Sequence, residues 1–191
     1  MYKRSEDGSI VASLKDQLSF LIEGANVDRY HTRPGIRSNK VGHHSHGVVM
    51  LMWLVSDGQV SAKALMAAGS HDLAEQVTSD VSSPAKRMLG IRKQLQDTED
   101  KVLGYMGFKF DLTPEEENWL SLADLFNQIM YYCDEAALGN KYVHVMMTRT
   151  CQYVEADLKL EPHQRDVFDA LVELYKENTA DGPWFDCFYR K

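Results

Sequence analysis

Apolar residues recur at three- and four-residue intervals along most of the chain, the period of helices with one buried face. The pattern predicts helices over about 9–24, 43–56, 61–77, 84–106, 114–138, 141–157 and 162–178. Proline stands at helix starts. Thr113-Pro114-Glu115-Glu116 offers an N-cap, a proline at the first helical position and acids in the first turn. Ser83-Pro84 and Glu161-Pro162 read as further starts. Residues 26–42 read as a loop, punctuated by Asn26, Pro34, Gly35, Ser38, Asn39 and Gly42. The sequence has no alternating strand pattern and no internal repeat. The expected fold class is all-α: a single helical bundle of about six to eight helices over residues 1–180. A tail, 181–191, follows Asp181-Gly182-Pro183 and carries Trp184, Phe185, Phe188 and Tyr189. Those aromatics fit docking on the body or on another subunit equally well.

Composition narrows the class. The chain has 191 residues, 44% of them hydrophobic, and a net charge of −7. That is enough chain for one domain with its own core. The acidity argues against a general binder of nucleic-acid polymers, which must neutralise phosphates. Met1 to Ser9 lacks a signal-peptide core, and the longest apolar run, Val48 to Val55, is far short of the roughly 20 residues that span a bilayer. No membrane association is expected. Cys133, Cys151 and Cys187 are widely spaced and form no CxxC, so neither a disulfide framework nor a cysteine zinc site is expected, and a cytoplasmic setting fits.

The charge is unevenly distributed. Arg29, Arg33, Arg37 and Lys40 share a segment without acids, and Lys86-Arg87 and Arg92-Lys93 form a second basic group. Such groups hold phosphate, or are simply solvated. Four of the seven histidines fall between Tyr30 and Gly47. His44 shares a helical stripe with Val48, Leu51 and Val55, which turns it inward, while His43 and His46 lie off that stripe. Further on, Ala64, Ala68 and Gly69 precede His71-Asp72, with Glu75 one turn later. Two acids and a histidine beside small apolar residues are costly to bury unless something compensates them, and a divalent cation does so. Asp124 shares a polar face with Glu117, Ser121, Gln128 and Glu135; spacing leaves open whether it is solvated or faces a wet cleft. His144, the stripe Met50, Met52, Met130, Tyr131 and Tyr132, and Cys133 read as packing residues.

Taken in order, Arg29-Tyr30, Val41-Gly42-His43-His44-Ser45, His71-Asp72-Leu73-Ala74-Glu75, Thr78-Ser79-Asp80, Pro84-Ala85-Lys86 and Ala123-Asp124 span about residues 26–140. The set resembles the HD-domain metal-dependent phosphohydrolases, in the branch of bacterial 5′-deoxynucleotidases and small phage dATP triphosphohydrolases. The resemblance implies a single HD-domain helical bundle. It implies His44, His71, Asp72 and Asp124 as ligands of a divalent metal ion: Co2+, Zn2+, Mn2+ or Mg2+. It implies Glu75 as the acid that positions or activates the attacking water, Arg29 and Lys86 as phosphate holders, and Asp80 at the sugar. Tyr30 stands where tryptophan is usual beside the deoxyribose or base; His43 replaces an acid, and His46 an apolar residue. The activity implied is hydrolysis of a deoxynucleotide. The short Asp72-to-Asp124 spacing and the many cations favour a dATP-type triphosphohydrolase releasing deoxynucleoside and triphosphate. The alternatives are a 5′-deoxynucleotidase acting on a monophosphate, and a non-catalytic nucleotide-binding domain. The resemblance further implies a homo-oligomer in the cytoplasm of a bacterium or phage-infected host.

Overall fold

The structure, a computed structural model, describes residues 3–4 and 10–179. The aromatic tail, 181–191, lies outside them. The helices are α1 (Leu14–Ala25), α2 (Val41–Val55), α3 (Ala62–Ser70), α4 (Glu75–Thr78), α5 (Ser83–Met88), α6 (Arg92–Met106), α7 (Pro114–Ala137), α8 (Val143–Asp157) and α9 (Pro162–Asn178). The described residues thus form an all-α bundle, as expected. The caps follow from the residues present. Ser13 and Asp16 form a capping box on α1, Thr113 and Glu116 form another on α7, and Ser61 accepts from the Ala64 amide at α3.

Two predicted helices are interrupted. The expected helix 61–77 breaks at residues 71–74, where the amides of Leu73 and Glu75 reach back only three residues, to Ser70 and Asp72. The expected helix 84–106 is divided at Gly90, whose φ of +65° suits glycine and ends α5. Two short antiparallel ribbons also form, β1 (Lys3–Arg4) with β2 (Ile10–Val11) and β3 (Asp28–Arg29) with β4 (Asn39–Lys40). At two residues each they are too short to leave a period-two pattern. The second ribbon pairs Arg29 with Asn39 and so closes the basic segment into a loop.

The apolar residues form two cores. The larger packs α2, α7 and α9 with parts of α3 and α8; Met52, Val55, Phe126, Ile129, Met147, Phe168 and Tyr175 are essentially inaccessible. The smaller joins Phe20, Val41, Leu73, Ala74 and Leu103, with Phe108 stacked on Phe20 at 6.0 Å. The chain passes from one core to the other three times. On α2, Val41 belongs to the smaller and Val48 to the larger; at the end of α3, Ala68 belongs to the larger and Leu73, just beyond it, to the smaller; Leu103 on α6 belongs to the smaller and Trp119 on α7 to the larger. His44 and His71-Asp72 lie at the first two of these crossings.

His144, expected as a packing residue, meets the Tyr175 hydroxyl through Nδ1, edge-on to its ring. Burial, then the charge of Lys141, lowers its pKa from 6.5 to about 4. The unfolded chain takes up this proton first, so stability falls as pH drops from 6.5 towards 4. His144→Gln is expected to flatten that part of the profile, read as the urea midpoint at pH 7 and pH 5.

Candidate metal centre

α2, α3 and α7 bring the site together. His44 turns inward on α2, as its stripe predicts, and is 2% exposed. Ala64 and Ala68 are wholly buried, which lets α3 approach α2 and sets His71 beside His44. The tight turn after α3 then carries Asp72, and Asp124 comes from α7.

Hydrogen bonds fix which nitrogen each imidazole presents. His71 Nδ1 lies 2.8 Å from the carbonyl oxygen of Ala68, and His44 Nδ1 lies 2.7 Å from Oδ1 of Asn127. Both partners are acceptors, so both Nδ1 atoms donate and both Nε2 atoms face the site. The two Nε2 atoms are 3.2 Å apart. His44 Nε2 is 3.2 Å from a carboxylate oxygen of Asp72 and 3.2 Å from one of Asp124, and His71 Nε2 is 3.4 Å from Asp72. Such a crowd of acceptors is repulsive unless positive charge enters it. A proton on His44 is one answer. Burial opposes that charge, but hydrogen bonds to Asp124 and Asp72 overcome it and raise the His44 pKa to about 9. A divalent cation is the other. His44, His71 and Asp72 each offer an atom within 4.8 Å of the others, and imidazole with carboxylate suits zinc, cobalt or manganese. The residues fit the ion.

Beside this cluster opens a cavity of about 750 Å³, of a size suited to a nucleotide. Arg29, Tyr30, Glu75, Asp80, Lys86 and Asp124 all line it, so the candidate substrate residues meet in one place. Arg29 forms an ion pair with Asp72, and its Nε is buried without a partner. Glu75 is 6% exposed, and its Oε2 also has no partner. Burial and then the charge of Asp72 raise its carboxyl to about 8, so a cation on Asp72 would relieve it. Two unpaired buried polar atoms at one wall are what a phosphate and its attacking water would satisfy.

The basic residues divide. Arg33, Arg87 and Arg92 join Arg29 and Lys86 at the cavity. Lys40 instead forms a 2.7 Å ion pair with Asp28, and Arg37 is exposed and outside the lining. The expected cation crowd therefore keeps Arg29, Arg33, Lys86 and Arg87, loses Arg37 and Lys40, and gains Arg92. Tyr30, implied to lie beside the deoxyribose or base, stacks on Tyr131, ring centres 4.3 Å apart, with the Arg29 guanidinium 5.6 Å from the Tyr30 ring centre. Tyr30 adopts a φ of +56°, unusual for tyrosine, and its amide donates to Asp80 at 3.0 Å.

Sequence reasoning missed Asn127, Tyr131, Glu135 and Asn140. Asn127 carried a signal: it is a polar residue among the buried Leu122, Ala123, Phe126 and Ile129, one turn after Asp124. Glu135, placed on the polar face, is fully buried and accepts from the amides of Ile36 and Arg37 at 2.7 and 2.9 Å.

The described residues thus form a helical bundle that brings two histidines and two acids together where its helices cross. Among solved structures, the chain is similar to the cyanophage S-2L HD phosphohydrolase DatZ, bound to dA and one catalytic Zn2+ ion. That likeness has a TM-score of 0.65 and 17% identity, over 87% of this chain and 98% of the other. It is also similar to the PH0347 protein of Pyrococcus horikoshii OT3, with a TM-score of 0.64 and 19% identity, over 84% and 99%. At these identities the likeness establishes the fold. No protein-family model and no curated protein sequence matches the chain. Among the described residues no helix is long and apolar enough to cross a membrane.

Proposed function

We propose that this chain is a metal-dependent phosphohydrolase of deoxynucleotides, and that its substrate is a deoxynucleoside triphosphate of the dATP type. The observation that carries the reading is the acceptor cluster of His44, His71, Asp72 and Asp124 beside a cavity rimmed by five cations, Arg29, Arg33, Lys86, Arg87 and Arg92. The cyanophage structure, with its dA and catalytic Zn2+, supports both the substrate class and the metal.

His44, His71 and Asp72 would hold the metal, with Asp124, 3.2 Å from His44 Nε2, as the fourth ligand. A divalent cation supplies Lewis acidity towards a water and a phosphoryl oxygen. Glu75 takes the proton of the attacking water. Arg29 and Lys86 hold the phosphate undergoing attack and balance charge on its oxygens. Asp80 turns to the sugar hydroxyl the carboxylate oxygen that the Tyr30 amide leaves free. Arg33, Arg87 and Arg92 receive the further phosphates. Exposed apolar residues on α1 (Leu14, Leu18, Ile22) and α2 (Met50, Trp53, Leu54) support self-association.

One observation favours the second reading, a 5′-deoxynucleotidase: with Lys40 paired and Arg37 turned away, the loop brings only Arg29 and Arg33 to the cavity. Product analysis separates the two. The purified chain, loaded with Co2+, Zn2+ or Mn2+, is incubated with dATP, dGTP and dAMP, and the products are resolved by ion exchange. Deoxyadenosine with inorganic triphosphate is the expected result. Phosphate released from dAMP alone sinks the triphosphate reading and leaves the nucleotidase.

A further inference from the structure

We propose that Asn127 is a positioning residue for His44, and that Gly47 exists to make room for it. The inference rests on the metal reading above and assigns a role to two residues outside the ligand set.

His44 and Asn127 are 2% and 8% exposed, and their 2.7 Å hydrogen bond is closed to solvent. Nothing outside the protein can substitute for Asn127 as the acceptor at Nδ1. A free imidazole exchanges its proton between Nδ1 and Nε2, and only the form with a bare Nε2 can bind a metal from that nitrogen. Oδ1 of Asn127 holds the proton on Nδ1. It also sets the plane of the ring, so that Nε2 stays directed at His71, Asp72 and Asp124. His71 has the same arrangement, but its acceptor is the Ala68 carbonyl, a backbone group that no substitution removes. At His44 the acceptor is a side chain, which makes it testable. Partners of this kind govern metal affinity in general.

Asn127 reaches His44 only because position 47 has no side chain. A β-carbon built on Gly47 falls 2.0 Å from Nδ2 of Asn127 and 3.1 Å from its Cγ. The amide occupies the space a larger residue at 47 would need. Gly47 lies on α2 within the turn after His44, and its backbone is helical, so backbone freedom does not explain the glycine. Close approach does. α7 thus delivers Asp124 and, one turn on, Asn127, to opposite ends of the same imidazole.

The test is Co2+ binding, followed by the visible absorption of the bound ion, with far-UV circular dichroism as the control for folding. Asn127→Ala and Asn127→Leu are expected to weaken Co2+ about 10- to 100-fold and to change the absorption band. Asn127→Asp, which keeps an acceptor oxygen in place, restores affinity to within about threefold. Gly47→Ala displaces the amide and reproduces the loss. In the Asn127→Ala background the same Gly47→Ala change adds nothing, because the two residues act through one bond. The leucine variant carries the comparison if the alanine variant fails to fold. Wild-type affinity and spectrum in Asn127→Leu overturn the inference, as does a Gly47→Ala loss that adds in full to that of Asn127→Ala. A wild-type chain that takes up no Co2+ overturns the metal reading and the inference together; wild-type uptake with unaffected variants overturns the inference alone.

Discussion

Asp72→Ala is expected to abolish metal uptake and nucleotide hydrolysis together, with kcat falling about 1,000-fold or more, equivalent to about 4 kcal/mol of barrier. Three residues of the site meet at the Asp72 carboxylate. Asp72 lies within 3.2 Å of His44 Nε2, within 3.4 Å of His71 Nε2, and pairs with Arg29. Its removal takes away a donor and leaves the Arg29 charge without its partner in a largely buried position. The variant therefore also loses stability, which clouds a single result. His71→Ala resolves this: His71 is 20% exposed and its removal leaves the Arg29–Asp72 pair in place, so the fold survives while the donor set does not. Metal content after dialysis, kcat, and the unfolding midpoint are measured on both variants. Parallel loss of metal and activity in both is the expected pattern. Full hydrolysis by both would falsify the metal-centred mechanism and return the chain to a nucleotide-binding role.

Glu135→Gln has the second largest expected effect, and it lies outside the metal cluster. The carboxylate is fully buried under the basic loop, where it accepts from the backbone of Ile36 and Arg37 and from the side chain of Asn140. Asn140 in turn donates to the Pro34 carbonyl at 2.9 Å. Burial opposes the charge, but these donors overcome it and hold the carboxyl below its ordinary range. Glutamine has the same shape but turns an NH2 towards donors. A hydrogen bond to a buried charge is lost and a repulsion replaces it, at a cost of about 3 kcal/mol. The loop carries Tyr30 and Arg33 into the cavity, so KM for the nucleotide is expected to rise about tenfold while kcat changes little. Urea unfolding and steady-state kinetics check the two halves. An unchanged KM in a destabilised variant would mean that the loop is held for stability alone, by the Tyr30–Tyr131 stack and the β3–β4 ribbon.

The helices and the inward turn of His44 were legible because burial repeats with the helical period, and the period survives in the residues. The breaks were not. At residues 71–74 the apolar residues Leu73 and Ala74 continue the pattern, but they serve the smaller core, so the chain must turn to reach it. Asp124 remained open for a physical reason: a cleft and bulk solvent ask for the same kind of residue, and only the neighbouring helix distinguishes them. Arg37 and Lys40 read like Arg29 and Arg33 because charge has no direction in a sequence. The ribbon that turns Lys40 towards Asp28 is two residues long and leaves no trace. Glu135 looked like surface for the same reason as Asp124. Its partners are backbone amides almost a hundred positions away, and such amides carry no residue identity.

The first two crossings between the larger and smaller cores bear on how the molecule opens. Each core holds its own apolar contacts, and the described chain gives them separate packing units that can in principle melt at different free energies. His44 and His71-Asp72 stand where the chain changes core, so an ion bound there ties the units together. Ligand occupancy then governs cooperativity. The unliganded protein can lose its smaller core first, whereas the liganded one must release the ion to do so and unfolds as a single body. At free ion a hundredfold above its dissociation constant, that coupling is worth about 2.7 kcal/mol.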